Sequence, residues 1–312
     1  MTFKSLMLAS FAAIALSACG GGDAVDAAKS TADKAASAAK DVVSKAVATA
    51  SIDDILAAQS DAMKARYDAR NPKETLEFFG IKPGMTVVEA LPGGGWYSKI
   101  LLPHLGDDGH LIGVDYSLNM WPEFGGFADA EFIENKKTWP ATWTEGAQAW
   151  RGGSQAKISA FTFESAPESM DGTVDAVLFI RALHNLSRFE EKGGYLSAAL
   201  ADTHALLKTD GIVGVVQHAA PESNSDVSTT GSNGYLKKST LVAQMKDAGF
   251  ELIKSSSINE NPKDVPSDEP GKEDIVWRLP PSLGTSGDDA ELRAKYEAIG
   301  ESNRMTLLFK KL

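Results

Sequence analysis

One stretch constrains the fold of this chain more than any other. It is a short apolar strand that ends in a carboxylate, passes through three glycines into a helix, and meets a second strand that also ends in a carboxylate. It reads Val87-Val88-Glu89-Ala90-Leu91-Pro92-Gly93-Gly94-Gly95-Trp96-Tyr97-Ser98, then an amphipathic run from Lys99 to Leu105, then Gly109-His110-Leu111-Ile112-Gly113-Val114-Asp115. The pattern predicts a βαβ unit built to hold a nucleoside. Glycines let the backbone turn tightly and approach a ligand, and the free N–H groups at the following helix start favour polar or anionic groups. Asp115 reaches the same sheet edge, where a carboxylate can accept hydrogen bonds from both ribose hydroxyls. A glycine turn alone would join any strand to any helix; the second acid at a matching distance weighs against that reading.

The rest of the chain supplies the remaining elements of an α/β sheet. Ser51 to Phe79 reads as two helices broken near Asn71-Pro72, with Arg66 as a solvated side chain and Arg70 undecided between solvent and the ligand edge. Lys157 to Phe163 alternates as a third strand, with Glu164 at its end. Val174 to Arg181 is a near-continuous apolar run, as expected of a central parallel strand covered on both faces. A helix from Gly194 to Leu207 leads through the turn signal Lys208-Thr209-Asp210-Gly211 into a strand from Ile212 to His218. A helix from Lys238 to Ala248, a strand from Phe250 to Ser257 and a final strand from Met305 to Leu312 follow. A Pro-rich excursion containing Asn261-Pro262-Lys263-Asp264 and Trp277 to Ser282 separates the last two strands. The long connection from Tyr116 to Gln155 carries Trp121, Trp139, Trp143 and Trp150, either as a lid beside the substrate entrance or as a satellite core over the sheet.

Glu89, Gly93, Gly95 and Asp115 fall where the first motif of class I S-adenosylmethionine-dependent methyltransferases has its acid, glycines and second acid, and the segment resembles that family. Leu91-Pro92 replaces the usual glycine two positions after the acid. The run from Glu89 to Tyr97 is similar, as written, to an acid-x-x-Pro-Gly-Gly-Gly-Trp-Tyr motif of an uncharacterised bacterial group of predicted exported methyltransferases. The resemblance implies an α/β, Rossmann-like class I methyltransferase fold. That fold has a mostly parallel seven-stranded sheet, helices on both faces and an antiparallel last strand. It also implies S-adenosyl-L-methionine as cofactor, held by Glu89, Gly93, Gly95, Tyr97, Asp115 and Arg181. The loop after the fourth strand would then face donor and acceptor, with His184 as the catalytic candidate and Asn185 and His218 as substrate-binding candidates. His184 either takes a proton from the acceptor or only orients it. Two histidines at that edge do not make a metal site, since no third ligand stands at suitable spacing.

The N-terminus reads as an export signal. Lys4 gives the positive end, and the apolar segment from Leu6 to Leu16 is too short for a stable membrane anchor. Leu16-Ser17-Ala18-Cys19-Gly20 resembles a bacterial lipobox, which implies cleavage before Cys19 and lipidation of that residue, the only cysteine in the chain. The expected organisation is a signal peptide at 1–18, a lipid-anchored Ala/Lys-rich linker at 19–50 and a methyltransferase-like domain at 51–312. The expected location is the periplasmic face of the cell envelope, at the outer membrane.

A formal net charge of -11 with no basic cluster makes the chain a poor candidate for phosphate-backbone binding, so nucleic acid is not an expected partner. Three function classes stand open. The first is methyl transfer to a small-molecule or envelope acceptor, with a donor that is made in the cytoplasm. The second is a non-catalytic envelope protein that keeps the fold and binds a small ligand. The third, a nicotinamide-dependent oxidoreductase, is disfavoured because Glu89 ends the first strand where that fold begins its glycine fingerprint.

Overall fold

A computed structural model describes residues 50–268 and 289–312. The signal peptide, Cys19, nearly all of the linker and the Trp277 to Ser282 stretch lie outside the described residues. Residues 51 to 79 form four short helices where the apolar spacing predicted two: α1 (Ile52–Ala57), α2 (Asp61–Lys64), α3 (Tyr67–Arg70) and α4 (Pro72–Phe79). Ser51 caps α1 by accepting from the Asp54 N–H, and Ser60 is extended where α2 begins. Gln59, in the gap, donates its side-chain amide to the Lys99 carbonyl, so tertiary bonding interrupts what periodicity would have continued. The expected break at Asn71-Pro72 is present, with Asn71 in the left-handed region at φ 41°.

The strands are β1 (Thr86–Ala90), β2 (His110–Asp115), β3 (Lys157–Thr162), β4 (Val174–Ile180), β5 (Leu207–His218), β6 (Phe250–Ser256) and β7 (Arg304–Lys311). They form one sheet in the order β3-β2-β1-β4-β5-β7-β6. Strands β1 to β5 pair in parallel, and β7 runs antiparallel to both of its neighbours. This is the mostly parallel, seven-stranded, Rossmann-like sheet that the resemblance implies, with its antiparallel strand seated between β5 and β6. The order reverses between β1 and β4, which opens a crevice at the carboxyl ends of those strands.

Alternation along the strands divides the core. Val87, Leu111, Ala176 and Leu178 pack with α4 and with α5 (Ser98–Leu105) on one face; Val88, Ile112, Val177 and Phe179 pack on the other. The second face is covered by α8 (Leu183–Arg188), α10 (Tyr195–Leu206) and α11 (Lys238–Asp247), with α9 (Glu190–Gly193) linking the first two and α12 (Ala290–Ile299) preceding β7.

One sequence expectation is corrected here. Lys208-Thr209-Asp210-Gly211 is not a turn before the strand. Val174 pairs with Leu207 and Ala176 with Ile212, so those residues bulge out of a longer β5. The Tyr116 to Gln155 connection is mostly structured, through a 3-10 segment (Leu118–Phe124), α6 (Ala130–Lys137) and α7 (Trp139–Ala147). Its tryptophans serve both faces. Trp121 joins one core cluster; Trp143 joins the other and packs where a Cβ on Gly113 would lie 2.8 Å from its ring.

Candidate functional site

At the carboxyl edge of β1 and β4 lies a cavity of about 490 Å³, lined by Leu91, Pro92, Gly93, Gly94, Trp96, Lys99, Ile180, Arg181, His184, Asn185 and His218. That size suits a small ligand. A larger hollow of about 700 Å³ runs along α10 and α11, away from the strand ends, and contains none of these groups.

The glycine loop divides its labour. Gly93 and Gly94 are exposed to the cavity, and Gly93 has a φ of 54°. Gly95 is buried at φ 73°, and a Cβ there would sit 2.5 Å from the Trp150 ring, so this glycine admits a tryptophan and does not line the cavity. Glu89 is buried behind the loop and accepts from Ser98 Oγ at 2.5 Å; burial pushes its carboxyl up to about 7, against the opposing effect of that hydrogen bond. Tyr97 turns into the core and donates its hydroxyl to the Arg70 carbonyl at 3.3 Å; burial pushes it up to about 12.

After β4 the chain turns through Arg181, whose φ of 58° is held by its N–H donating to the Val216 carbonyl at 2.6 Å. A non-glycine residue in the left-handed region at a strand end marks a position where structure is maintained against local preference. The Arg181 guanidinium is pushed down to about 10, first by burial and then by the nearby Arg70 and Arg304. His184 begins α8 buried, and its ring centroid lies 5.5 Å from that of His218 at the end of β5. His218 Nδ1 is 2.6 Å from Ser302 Oγ. Burial, then His184 and the neighbouring arginines, hold the His218 imidazole well below its ordinary range, so it is neutral at pH 7. Asn185 donates to the Tyr116 hydroxyl at 2.9 Å, tying the post-β4 helix to the end of β2.

Asp115 ends β2, buried, as the pattern predicts. Its Oδ1 accepts from the Tyr116 N–H at 2.9 Å, and its Oδ2 from Lys136 Nζ at 2.7 Å. The ammonium lies 4.1 Å from the Trp121 ring centroid. A nucleoside would therefore take this carboxylate in exchange for Lys136. Glu164 is exposed, at φ 66°, with its N–H donating to Asp202.

Beside the cavity, Glu301 accepts from three arginines: Arg66 at 2.9 Å, Arg70 at 3.0 Å and Arg304 at 2.7 Å. Arg66, expected in solvent, is thus ion-paired. Arg70, left undecided between solvent and the ligand edge, is buried with its guanidinium 4.7 Å from the Trp96 ring centroid. Burial pushes the Glu301 carboxyl up, but Arg304, Arg70 and Arg181 together bring it below the ordinary range.

The structure brings Gly93, Arg181, His184, Asn185 and His218 to one cavity and places Asp115 at the neighbouring strand end. It sets Glu89, Gly95 and Tyr97 behind the wall. Sequence reading missed Trp96, Lys99, Lys136, Glu301 and Gly231. At Gly231, with φ 93°, a Cβ would lie 2.1 Å from the His184 carbonyl oxygen. The glycine itself was the available signal, in a polar stretch with no other punctuation of that kind nearby except Gly234.

No family model matches the sequence, and no curated relative does. Among solved structures the chain is similar to an S-adenosylmethionine-dependent methyltransferase from Aquifex aeolicus, at 13% identity and TM-score 0.45, covering 84% of this chain and 100% of that one. It is also similar to the 1,6-didemethyltoxoflavin-N1-methyltransferase of Burkholderia thailandensis, at 13% identity and TM-score 0.42, covering 96% and 93%. A third is a geranyl diphosphate methyltransferase, at 13% identity and TM-score 0.45, covering 80% and 87%. At such identities none of them says what this chain binds.

Proposed function

We propose that the chain is an S-adenosyl-L-methionine-dependent methyltransferase acting on a small-molecule or envelope acceptor. The observation that carries this reading is the meeting of three features at the point where strand order reverses: the open Gly93-Gly94 loop, the strand-end carboxylate Asp115, and a histidine in the same cavity. Gly93, Gly94 and Asp115 would hold the donor, Asp115 after releasing Lys136. The donor supplies a methyl group already activated on a sulfonium, so the protein's task is alignment, exclusion of water and proton removal. His184 takes the acceptor's O–H or N–H proton on a ring nitrogen, and neutral His218 beside it adds no opposing charge. Arg181 and Asn185 orient what enters the cavity.

The Lys136 to Asp115 ion pair favours a second reading, a non-catalytic ligand-binding protein that keeps the fold and has closed its ribose site. One calorimetric experiment separates the two. Under the first reading S-adenosylhomocysteine binds at micromolar strength, Asp115→Ala weakens it at least about tenfold, and Lys136→Met tightens it. If neither wild type nor Lys136→Met binds donor or product at millimolar concentration, the methyltransferase reading is lost.

The lipid anchor belongs to the same proposal. It rests on the sequence Leu16-Ser17-Ala18-Cys19-Gly20. Labelled palmitate should enter the wild-type chain in cells and be absent from Cys19→Ser; equal labelling of both would remove the anchor.

A further inference from the structure

The cavity is cationic in an acidic protein. The chain carries a net charge of -11, yet Arg181 and Lys99 line this cavity and no carboxylate does. Among the described residues no carboxylate pairs with Arg181, while the buried Glu301 beside it is shared by Arg66, Arg70 and Arg304. One negative charge therefore faces three guanidinium groups, with Arg181 close by. Such a surplus of sequestered positive charge is unfavourable until a counter-anion arrives. Arg181 is also held at a left-handed φ of 58°, a conformation its side chain does not favour and that the bond to Val216 maintains. Trp96, in the same wall, has a buried indole N–H with no acceptor among the described residues. The wall carries two cationic side chains and an indole donor but no carboxylate, and its aromatic ring is backed by Arg70 at 4.7 Å.

We propose that this cavity recognises a methyl acceptor bearing an anionic oxygen group, a carboxylate or a phosphate monoester, through the Arg181 guanidinium, with Lys99 contributing charge at the rim and the apolar remainder of the molecule against Trp96. The planar fork of a guanidinium matches two oxygens of either group at once. Lys99 Nζ bonds the Gly94 carbonyl at 3.1 Å, which keeps its charge at the mouth of the glycine loop. The proposal rests on reading the cavity as the acceptor site of a methyltransferase, but the anion preference can be measured without that activity.

The test titrates benzoate and phenyl phosphate, with benzamide and benzyl alcohol as neutral counterparts, into the full chain, both alone and saturated with S-adenosylhomocysteine. The anions should bind about tenfold or more tightly than the neutral probes, in both conditions. Arg181→Met should remove that preference, Arg181→Lys should restore part of it, and Lys99→Met should weaken anion binding severalfold. The tighter of the two anions identifies which group the acceptor carries. Equal affinity for charged and neutral probes would overturn the proposal, and that comparison on wild type and Lys99→Met stands even where Arg181→Met does not fold. So would an Arg181→Met protein that weakens S-adenosylhomocysteine, spares 5′-methylthioadenosine, and shows the product displacing the anions; Arg181 would then hold the donor's own carboxylate. If S-adenosylhomocysteine fails to bind while the anion preference and its loss in Arg181→Met persist, the methyltransferase reading falls and the anion site remains.

Discussion

Glu89 is 4% exposed, with one hydroxyl, that of Ser98, donating to it. An unfolded glutamate titrates near 4.5, whereas the folded one is pushed up to about 7. Between those values the folded chain retains a proton that the unfolded chain has released, so stability falls as pH rises through that window and levels off above it. The difference amounts to about 3 kcal/mol. Glu89→Gln keeps a polar partner for Ser98 and removes the titration. Its melting temperature should match wild type near pH 5 and exceed it at pH 8; parallel melting curves across that range would show that Glu89 is ionised in the fold. The position of this acid at a strand end was legible in the sequence, but its protonation was not, because burial depends on how the chain, including Ser98 of α5, folds around it. Asp115 was equally legible as a strand-end carboxylate. Its partner Lys136 was not, since a lysine near the end of a polar helix carries no mark of the charge it will meet across space.

Elements were readable where periodicity acted alone. The strands and the main helices emerge within a residue or two of their expected bounds, since apolar runs such as Val174 to Ile180 have few alternatives once flanked by turn residues. They were misread where tertiary bonds intervened, at Gln59 in the N-terminal helices and in the bulge of β5. The loop between β5 and α11 shows the same limit at a functional position. Gly231 packs against the His184 backbone, and its φ of 93° already disfavours any side chain. Gly231→Ala should cost about 1–3 kcal/mol from backbone strain alone, and the clash should also displace α8. Gly153 is the fair control, with φ 95° and open space for at least 4 Å around the point where a Cβ would sit. Alanine at either site should lower the melting temperature, but only Gly231→Ala should shift the His184 imidazole signals in NMR spectra. Equal effects on His184 from both variants would mean that the loop does not position it.

At the scale of the whole domain, Glu301 joins segments far apart in sequence, since Arg66 and Arg70 lie in or beside α3 while Glu301 and Arg304 lie at the entry to β7. Removing its charge leaves buried guanidinium groups unpaired, which costs about 3–5 kcal/mol. Glu301→Gln should therefore lower the melting temperature by on the order of 10 °C, and adding Arg70→Met should recover part of the loss. No change on Glu301→Gln would mean that the arginines find other acceptors. The sheet class followed from the strand-end acids and the apolar runs, whereas the seat of the antiparallel strand did not, because pairing partners leave no trace in local pattern. That seat governs how the chain can be assembled. Residues 304–311 fill a slot between two strands that precede them, so β5 and β6 present open edges to solvent until the latest strand in chain order arrives. A chain halted before Arg304 would carry two exposed hydrogen-bonding ladders side by side, a template for self-association. Its handling in the cell before completion is thus a matter of keeping those edges apart.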